Sequence, residues 1–344
     1  MANPFSLSFG KCPINTVERI AQTNEILDAF TSDPINQQMF AITGVRGAGK
    51  TVLMSEISNI LRNQEDWIVV DLNSSADLLY TLLAKLYSNS ICASIIKTAK
   101  INLSFFGFGL EIDGTIPVTD AETAIIKILN HLKKHNKRLL ITIDEIANTE
   151  SMRYFAGSFQ IFIRQDLPVF LLITGLYENI DSLQNEDNLT FLYRAPKIFL
   201  SPLNTQAMAE KYRSILNISS ENAYEMATLT SGYPFAFQML GFLAWENNRD
   251  YKDVLEEYEY NLNDCIYDKI WSELSDEDQF FLMEVANSKN GNIQKIKKAL
   301  ESEPAEFINQ KKKLIRKGIL IEEDKKHLLF ALPLFKKYTI ENFQ

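Results

Sequence analysis

Gly44-Val45-Arg46-Gly47-Ala48-Gly49-Lys50-Thr51 has the spacing of a phosphate-binding loop. Its glycines let the backbone curl so that successive amides point at phosphate oxygens. Lys50 reaches the terminal phosphates, and the Thr51 hydroxyl is offered to magnesium. The context agrees with the motif: an apolar run at 39–45 precedes the loop and a helical pattern at 51–62 follows, so the anion meets a helix N-terminus. Gly44, Val45, Arg46, Gly47, Ala48, Gly49, Lys50 and Thr51 are therefore the candidate nucleotide-binding residues. The plain alternative is a glycine-rich turn without a ligand.

A second stretch, Leu139-Leu140-Ile141-Thr142-Ile143-Asp144-Glu145, is an apolar run ending in two carboxylates. A buried strand of this kind delivers Asp144 to the carboxyl edge of its sheet, where ligands bind and an acid can hold magnesium through water. Glu145 is then set to polarise an attacking water, with the developing charge met by Lys50 and the metal. Alone, an Asp-Glu pair reads more simply as the cap of a following helix. The loop upstream favours the metal and water roles.

Around these motifs, the first two thirds of the chain alternate apolar runs with helical stretches, as in a parallel sheet covered on both faces. Core strands are predicted at 39–45, 67–72, 139–146, 169–176 and 197–203, and helices at 51–62, 76–87 and 121–135. The stretch 101–114 alternates apolar and polar residues and shifts phase at Phe105 and Phe106, which predicts an inserted edge hairpin. From 204 onward strand signals stop, and helices are predicted at 205–216, 222–230, 234–246 and 252–274. Ser275 with Asp278 has the capping-box pattern and opens a third region. Its helices at 275–286, 293–301 and 304–317, followed by apolar runs at 319–321 and 327–332, make a winged helix.

Loop, acid-tipped strand, a strand ending in Thr174, the segment 194–203, the Gly232-Tyr233-Pro234 helix start and the C-terminal helices with their hairpin follow a particular order. That order resembles the AAA+ superfamily, and within it the origin-recognition and STAND-like ATPases, over nearly the whole chain. The resemblance implies an α/β P-loop NTPase core with five parallel strands, a helical lid and a C-terminal winged helix, with ATP and Mg2+ as ligands and ATP hydrolysis as the reaction. By the same resemblance Thr174 is the polar sensor of the γ-phosphate or attacking water. Arg194 is an arginine finger for a neighbouring subunit's site, and Pro234 packs the lid against nucleotide. Each has a plainer reading: a threonine closing a strand, a surface arginine, a proline in a first helical turn. The helix 234–246 has no arginine, so the second sensor of hexameric motors is missing and a switch is favoured over a processive motor. Residues 9–30 depart from the family's Gly-Arg pattern and leave the adenine contacts unassigned.

A length of 344 residues exceeds one ordinary core. The expected division is an N-terminal segment 1–36, a nucleotide-binding core 37–203, a helical lid 204–274 and a winged helix 275–344. Net charge of -9 excludes a protein that coats nucleic acid indiscriminately. The charge is segregated, though: 271–344 carries 13 Lys and Arg against 12 Asp and Glu, so the deficit lies elsewhere. On the predicted helix 304–317, steps of about 100° put Phe307, Ile308, Leu314 and Ile315 on one face and Lys312, Lys313, Arg316 and Lys317 on the other. A basic front on an apolar back suits a helix entering a major groove; a solvated face toward a protein partner is the alternative. Cys12, Cys92 and Cys265 form neither a disulfide framework nor a CxxC pair and fit a reducing compartment. Residues 1–10 lack a signal sequence, and no apolar stretch approaches the roughly 20 residues of a membrane span. The expectation is a cytoplasmic ATP-driven switch without a membrane partner, coupled to double-stranded DNA. The alternative is a STAND-like signalling ATPase whose winged helix meets a protein, and Arg194 offers a route to self-association.

Overall fold

The computed structural model describes residues 2–7, 13–108, 116–301 and 303–343. They fall into two compact units: one of Met1–Arg19, Gly44–Val52 and Phe199–Gln344, the other of Ile20–Thr43 and Leu53–Ile198.

The second unit runs through α1 (Ile20–Thr31) and β1 (Met39–Thr43), and takes up α2 (Lys50–Arg62) after the loop. It continues with β2 (Trp67–Asn73), α3 (Leu78–Ser88), α4 (Ser90–Thr98), α5 (Ala121–Lys134), β3 (Arg138–Asp144), α6 (Glu150–Arg164), β4 (Val169–Gly175), α7 (Tyr177–Gln184) and β5 (Lys197–Phe199). The strands form one parallel sheet in the order β2-β3-β4-β1-β5. Parallel neighbours require crossovers, and the helices supply them. β1 and β4 are buried along their whole length, which is why they read as continuous apolar runs. Leu82, Ile128, Ile141, Phe159 and Leu171 belong to one core shared by the sheet and α3, α5 and α6. Helix starts are fixed by side-chain caps: Asp77 accepts from the Tyr80 amide (3.0 Å), Asp120 from Thr123 (2.7 Å) and Thr149 from Met152 (3.2 Å).

The predicted hairpin at 101–114 does not form in its described part. Residues 101–108 contain no strand, only a 3-10 turn at Ser104–Phe106 closed by Gly107 at φ 75°. Residues 109–114 lie outside the described residues. Ile101 and Leu103 are buried, so the alternation records a loop laid on the core rather than strand pairing.

In the first unit, the chain beyond β5 continues as α8 (Thr205–Leu216), α9 (Ser220–Leu229), α10 (Pro234–Glu246), α11 (Leu255–Leu262) and α12 (Asp268–Ser272). A π-helical turn at Asn263–Tyr267 joins the last two without a break, so helix runs on through the expected stretch from Leu255 to Ser272. Then follow α13 (Asp276–Asn287), α14 (Ile293–Ala299), α15 (Pro304–Arg316), the antiparallel pair β6 (Leu320–Asp324) and β7 (His327–Phe330), and α16 (Phe335–Asn342). Large aromatics fill this unit with their hydroxyls satisfied: Tyr212 donates to the Phe237 carbonyl at 2.7 Å and Tyr267 to that of Pro333 at 2.5 Å. Cys92 is buried, Cys265 is exposed and both are unpaired, while Cys12 lies outside the described residues. No single helix among the described residues is long and apolar enough to cross a membrane.

Candidate functional site

The loop leaves β1 after Thr43 and enters α2 at Lys50. Gly47 and Gly49 sit at φ 72° and 90°, left-handed conformations that turn neighbouring amides to one side. Lys50 is 9% exposed and its ammonium donates to the carbonyls of Gly44 and Val45, each at 3.0 Å. Thr51 follows, half-buried, in the first turn of α2. The Arg46 side chain grips Glu273 with two hydrogen bonds, Nε to Oε2 at 2.9 Å and Nη2 to Oε1 at 2.6 Å. Burial works to raise the Glu273 carboxyl's pKa, but Arg46 and Lys269 outweigh it and hold it below the ordinary value.

The Gly232-Tyr233-Pro234 turn belongs to the same unit. Gly232 sits at φ 74°, and a Cβ there would lie 2.7 Å from the Leu203 carbonyl, so the turn requires glycine. Tyr233 donates its hydroxyl to the Arg46 carbonyl at 2.5 Å, and burial pushes its phenol up, which keeps it a donor. Pro234 starts α10, and a Cβ on Gly49 would be 3.8 Å from its ring. The plainer reading, a proline in a first helical turn, is what the structure shows. Beside the loop, Arg19, Val45, Ala48, Pro234, Ile321 and Leu332 help to line a cavity of about 190 Å³. Arg19 donates to the Ala48 carbonyl at 3.2 Å, and burial pushes its guanidinium down to about 10. Nothing in the sequence singled out Arg19 or Glu273, because neither stands in a motif.

In the second unit, Asp144 closes β3 and Glu145 turns outward at φ 50°, a conformation uncommon for a residue with a side chain. Thr174, fully buried on β4, holds this turn: its hydroxyl donates to Asp144 Oδ1 and accepts from the Glu145 amide at 3.1 Å. The Ile146 amide also donates to the Thr174 carbonyl at 2.9 Å. Thr174 therefore acts on the two acids directly. Arg194 is exposed and lines a small cavity with Gln38 and Met39, at the amino ends of β1 and β5. Ile42 pairs with Thr174, and three strand steps of ~3.3 Å separate it from Met39, so the cavity that Arg194 lines lies about 10 Å along the strand from the level of Thr174.

The basic face of α15 is not uniform. Lys317 is 7% exposed, and its ammonium lies 2.6 Å from Oδ2 of the fully buried Asp278; Lys313 lies 3.1 Å from the other oxygen. Gln310 also donates to Asp278. Lys312 and Arg316 are the exposed pair. Lys311 reaches Glu322 on β6 at 3.0 Å. The Ser275 half of the capping box is present, with its hydroxyl accepting from the Asp278 amide at 3.2 Å. The Asp278 side chain itself serves the lysines.

A glycine-rich loop after β1, an acid pair after β3, a threonine at the end of β4 and the order β2-β3-β4-β1-β5 together have the layout of the P-loop NTPase fold. Structures sharing it include the Walker-type ATPase paby2304 of Pyrococcus abyssi, at TM-score 0.66 and 16% identity over 98% of this chain and 99% of that one. The ORC2 protein of Aeropyrum pernix, solved as ADPNP–ADP complexes, gives 0.59 and 14% over 97% and 95%. At these identities the likeness is one of fold. No family model matches the sequence, and no curated protein matches it.

Proposed function

We propose that this chain binds ATP with Mg2+, hydrolyses it, and uses the cycle as a conformational switch. The carrying observation is the loop, in which two left-handed glycines precede a buried lysine at a helix N-terminus. In this reading the amides of 44–49 and the Lys50 ammonium take the β- and γ-phosphates. Thr51 and Asp144 would supply the hydroxyl and the carboxylate for magnesium, the hard oxygen donors that ion takes. When bound, the metal would supply neutralisation of phosphate charge. Glu145 orients the attacking water, and Thr174 fixes the geometry of both acids. Arg194, at the far edge of the sheet, serves the site of a second copy. The nucleotide complexes of the A. pernix protein support the ligand class.

The region 275–344 is read as a winged helix whose Lys312 and Arg316 meet DNA phosphates. The wider basic face expected from the sequence shrinks to these two, because Lys313 and Lys317 neutralise Asp278. A protein partner is the second reading, favoured by the exposed Glu301, Glu303 and Glu306 at the entry to α15, which repel phosphate. Phosphate release with and without duplex DNA, beside Lys50→Ala and Glu145→Gln, tests the whole. Failure of the folded chain to take up ATP by calorimetry at millimolar concentration would end the reading. An affinity for duplex DNA that charge reversal at Lys312 and Arg316 leaves unchanged selects the protein partner.

A further inference from the structure

We infer that a basic cavity formed by α5 and the turn after α4 binds a small organic phosphate, at a site separate from the acid pair. The inference goes beyond the nucleotide reading and does not depend on it. The cavity, of about 330 Å³, lies within the second unit, and its polar side is lined by Lys100, Lys127, Asn130 and His131. Its volume falls in the range of small-ligand pockets, ~300–1,000 Å³. α5 feeds the amino end of β3 at Arg138, and Asp144 stands six steps of ~3.3 Å away at the other end.

Charge sets this cavity apart. The chain carries a net -9, yet residues 123–138 hold five Lys and Arg and no acid. Three of the five have partners: Lys133 donates to the Asp166 carbonyl and Lys137 to that of Glu65, each at 2.7 Å, and Arg138 lies 4.0 Å from Asp66. The Lys127 ammonium has no hydrogen bond or ion pair among the described residues, and neither has that of Lys100. Lys100 sits at φ 52°, uncommon for a residue with a side chain, in the turn that closes α4. The wall it stands on is pinned: the Ile101 amide donates to the Ile96 carbonyl and the Val118 amide to that of Asn102, each at 3.0 Å. No Asp or Glu lines the cavity among the described residues.

Such cations fit a dianion, and the apolar part of the lining, Ile101, Ile116 and Val118, fits the carbon skeleton that carries it. A phosphomonoester has both parts. Its second pKa of about 6 gives a charge near -2 at pH 7, and its oxygens accept from the ammonium groups and the Asn130 amide. His131 adds a proton to the exchange. Burial, with Lys134 and His135 beside it, holds its pKa below the ordinary histidine value, so the ring is neutral at pH 7. The groups that face it are Lys127, Lys134 and His135 of α5 and Lys100 from the turn after α4, all of them basic. A dianion among them reverses the local field, raises the His131 pKa and draws a proton into the site.

The test titrates the full chain by calorimetry at pH 7 with three probes: phenyl phosphate, inorganic phosphate, which lacks a skeleton, and phenol, which lacks the anion. Phenyl phosphate should bind about tenfold or more tightly than either fragment. Lys100→Gln and Lys127→Gln should each weaken it about five- to tenfold. Both side chains are exposed, so neither change disturbs the fold, and circular dichroism checks this. Repeating the titration in Tris and in HEPES, whose ionisation heats differ, reads proton uptake, which His131→Gln should abolish. Lys50→Ala should leave phenyl phosphate affinity unchanged, because the phosphate loop is not this site. Wild type that takes up no phenyl phosphate at millimolar concentration overturns the inference. So does binding that Lys50→Ala abolishes while the cavity variants keep it, or binding that is the same in wild type and in all three folded cavity variants.

Discussion

Asp278→Ala removes the anion that holds Lys317 inside the C-terminal region. The carboxylate is fully buried, its oxygens 2.6 Å from the Lys317 ammonium and 3.1 Å from that of Lys313. Truncating one partner of a buried pair leaves an uncompensated charge and costs about 3–5 kcal/mol. Lys317→Met should cost less, roughly 2–3 kcal/mol, because Lys313, with 36% of its side chain exposed, still faces the stranded carboxylate. Removing both charges together, as Asp278→Leu with Lys317→Met, should be near neutral. Burial alone would raise the Asp278 pKa, yet Lys317 and Lys313 hold it below the usual carboxylate value. The pair's stabilisation is therefore complete above that usual value and is lost as pH falls through the lowered one. Urea unfolding of the wild type and the three variants gives these costs, and a salt series with duplex DNA gives the phosphate count. Single variants costing under about 1 kcal/mol, as an exposed pair would, or a Lys317→Met that lowers the salt slope by about one without touching stability, would refute the buried-pair account.

Thr174→Val keeps shape and burial but removes the hydroxyl that bridges Asp144 and the Glu145 amide. Loss of those bonds is worth roughly 1–3 kcal/mol, so turnover should fall about ten- to a hundredfold while calorimetric ATP affinity changes little. Arg194→Ala and Glu145→Gln should each be inactive alone, and mixing them should restore part of the phosphate release if one copy's arginine serves another's site; no recovery at any ratio rules that out. Gly232→Ala puts a methyl 2.7 Å from the Leu203 carbonyl at a positive φ, and thermal melting should show a loss of about 1–3 kcal/mol.

The sheet was legible because its strands are buried on both faces. β1 and β4 have no solvent side, so their apolar runs could not be mistaken for alternating edge strands. The places of the loop and the acid pair were legible because each follows a buried apolar strand, β1 and β3. Residues 101–108 were misread for a physical reason: Ile101 and Leu103 anchor a loop with the same two-residue period a strand would show. α6 left a readable mark in Phe155, Phe159 and Phe162 at helical spacing behind the Thr149 cap, yet was not among the predicted helices. Arg19 and Glu273 left none, since a buried cation or a latch is defined by partners remote in sequence.

Asp278 shows why a helical wheel cannot by itself find a nucleic-acid surface. Steps of about 100° group Lys312, Lys313, Arg316 and Lys317 correctly, but they say nothing of what stands opposite. The residue opposite Lys313 and Lys317 is an acid that local sequence assigns to a helix cap, and its amide does bond Ser275 there. Its side chain, freed from the cap, draws the two lysines inward, and burial then makes the arrangement costly to undo. The four cations therefore divide into a structural pair and a solvent-facing pair. Any phosphate the helix contacts must be met by Lys312 and Arg316, one turn apart, which limits a single copy to about two neutralised phosphates from this face.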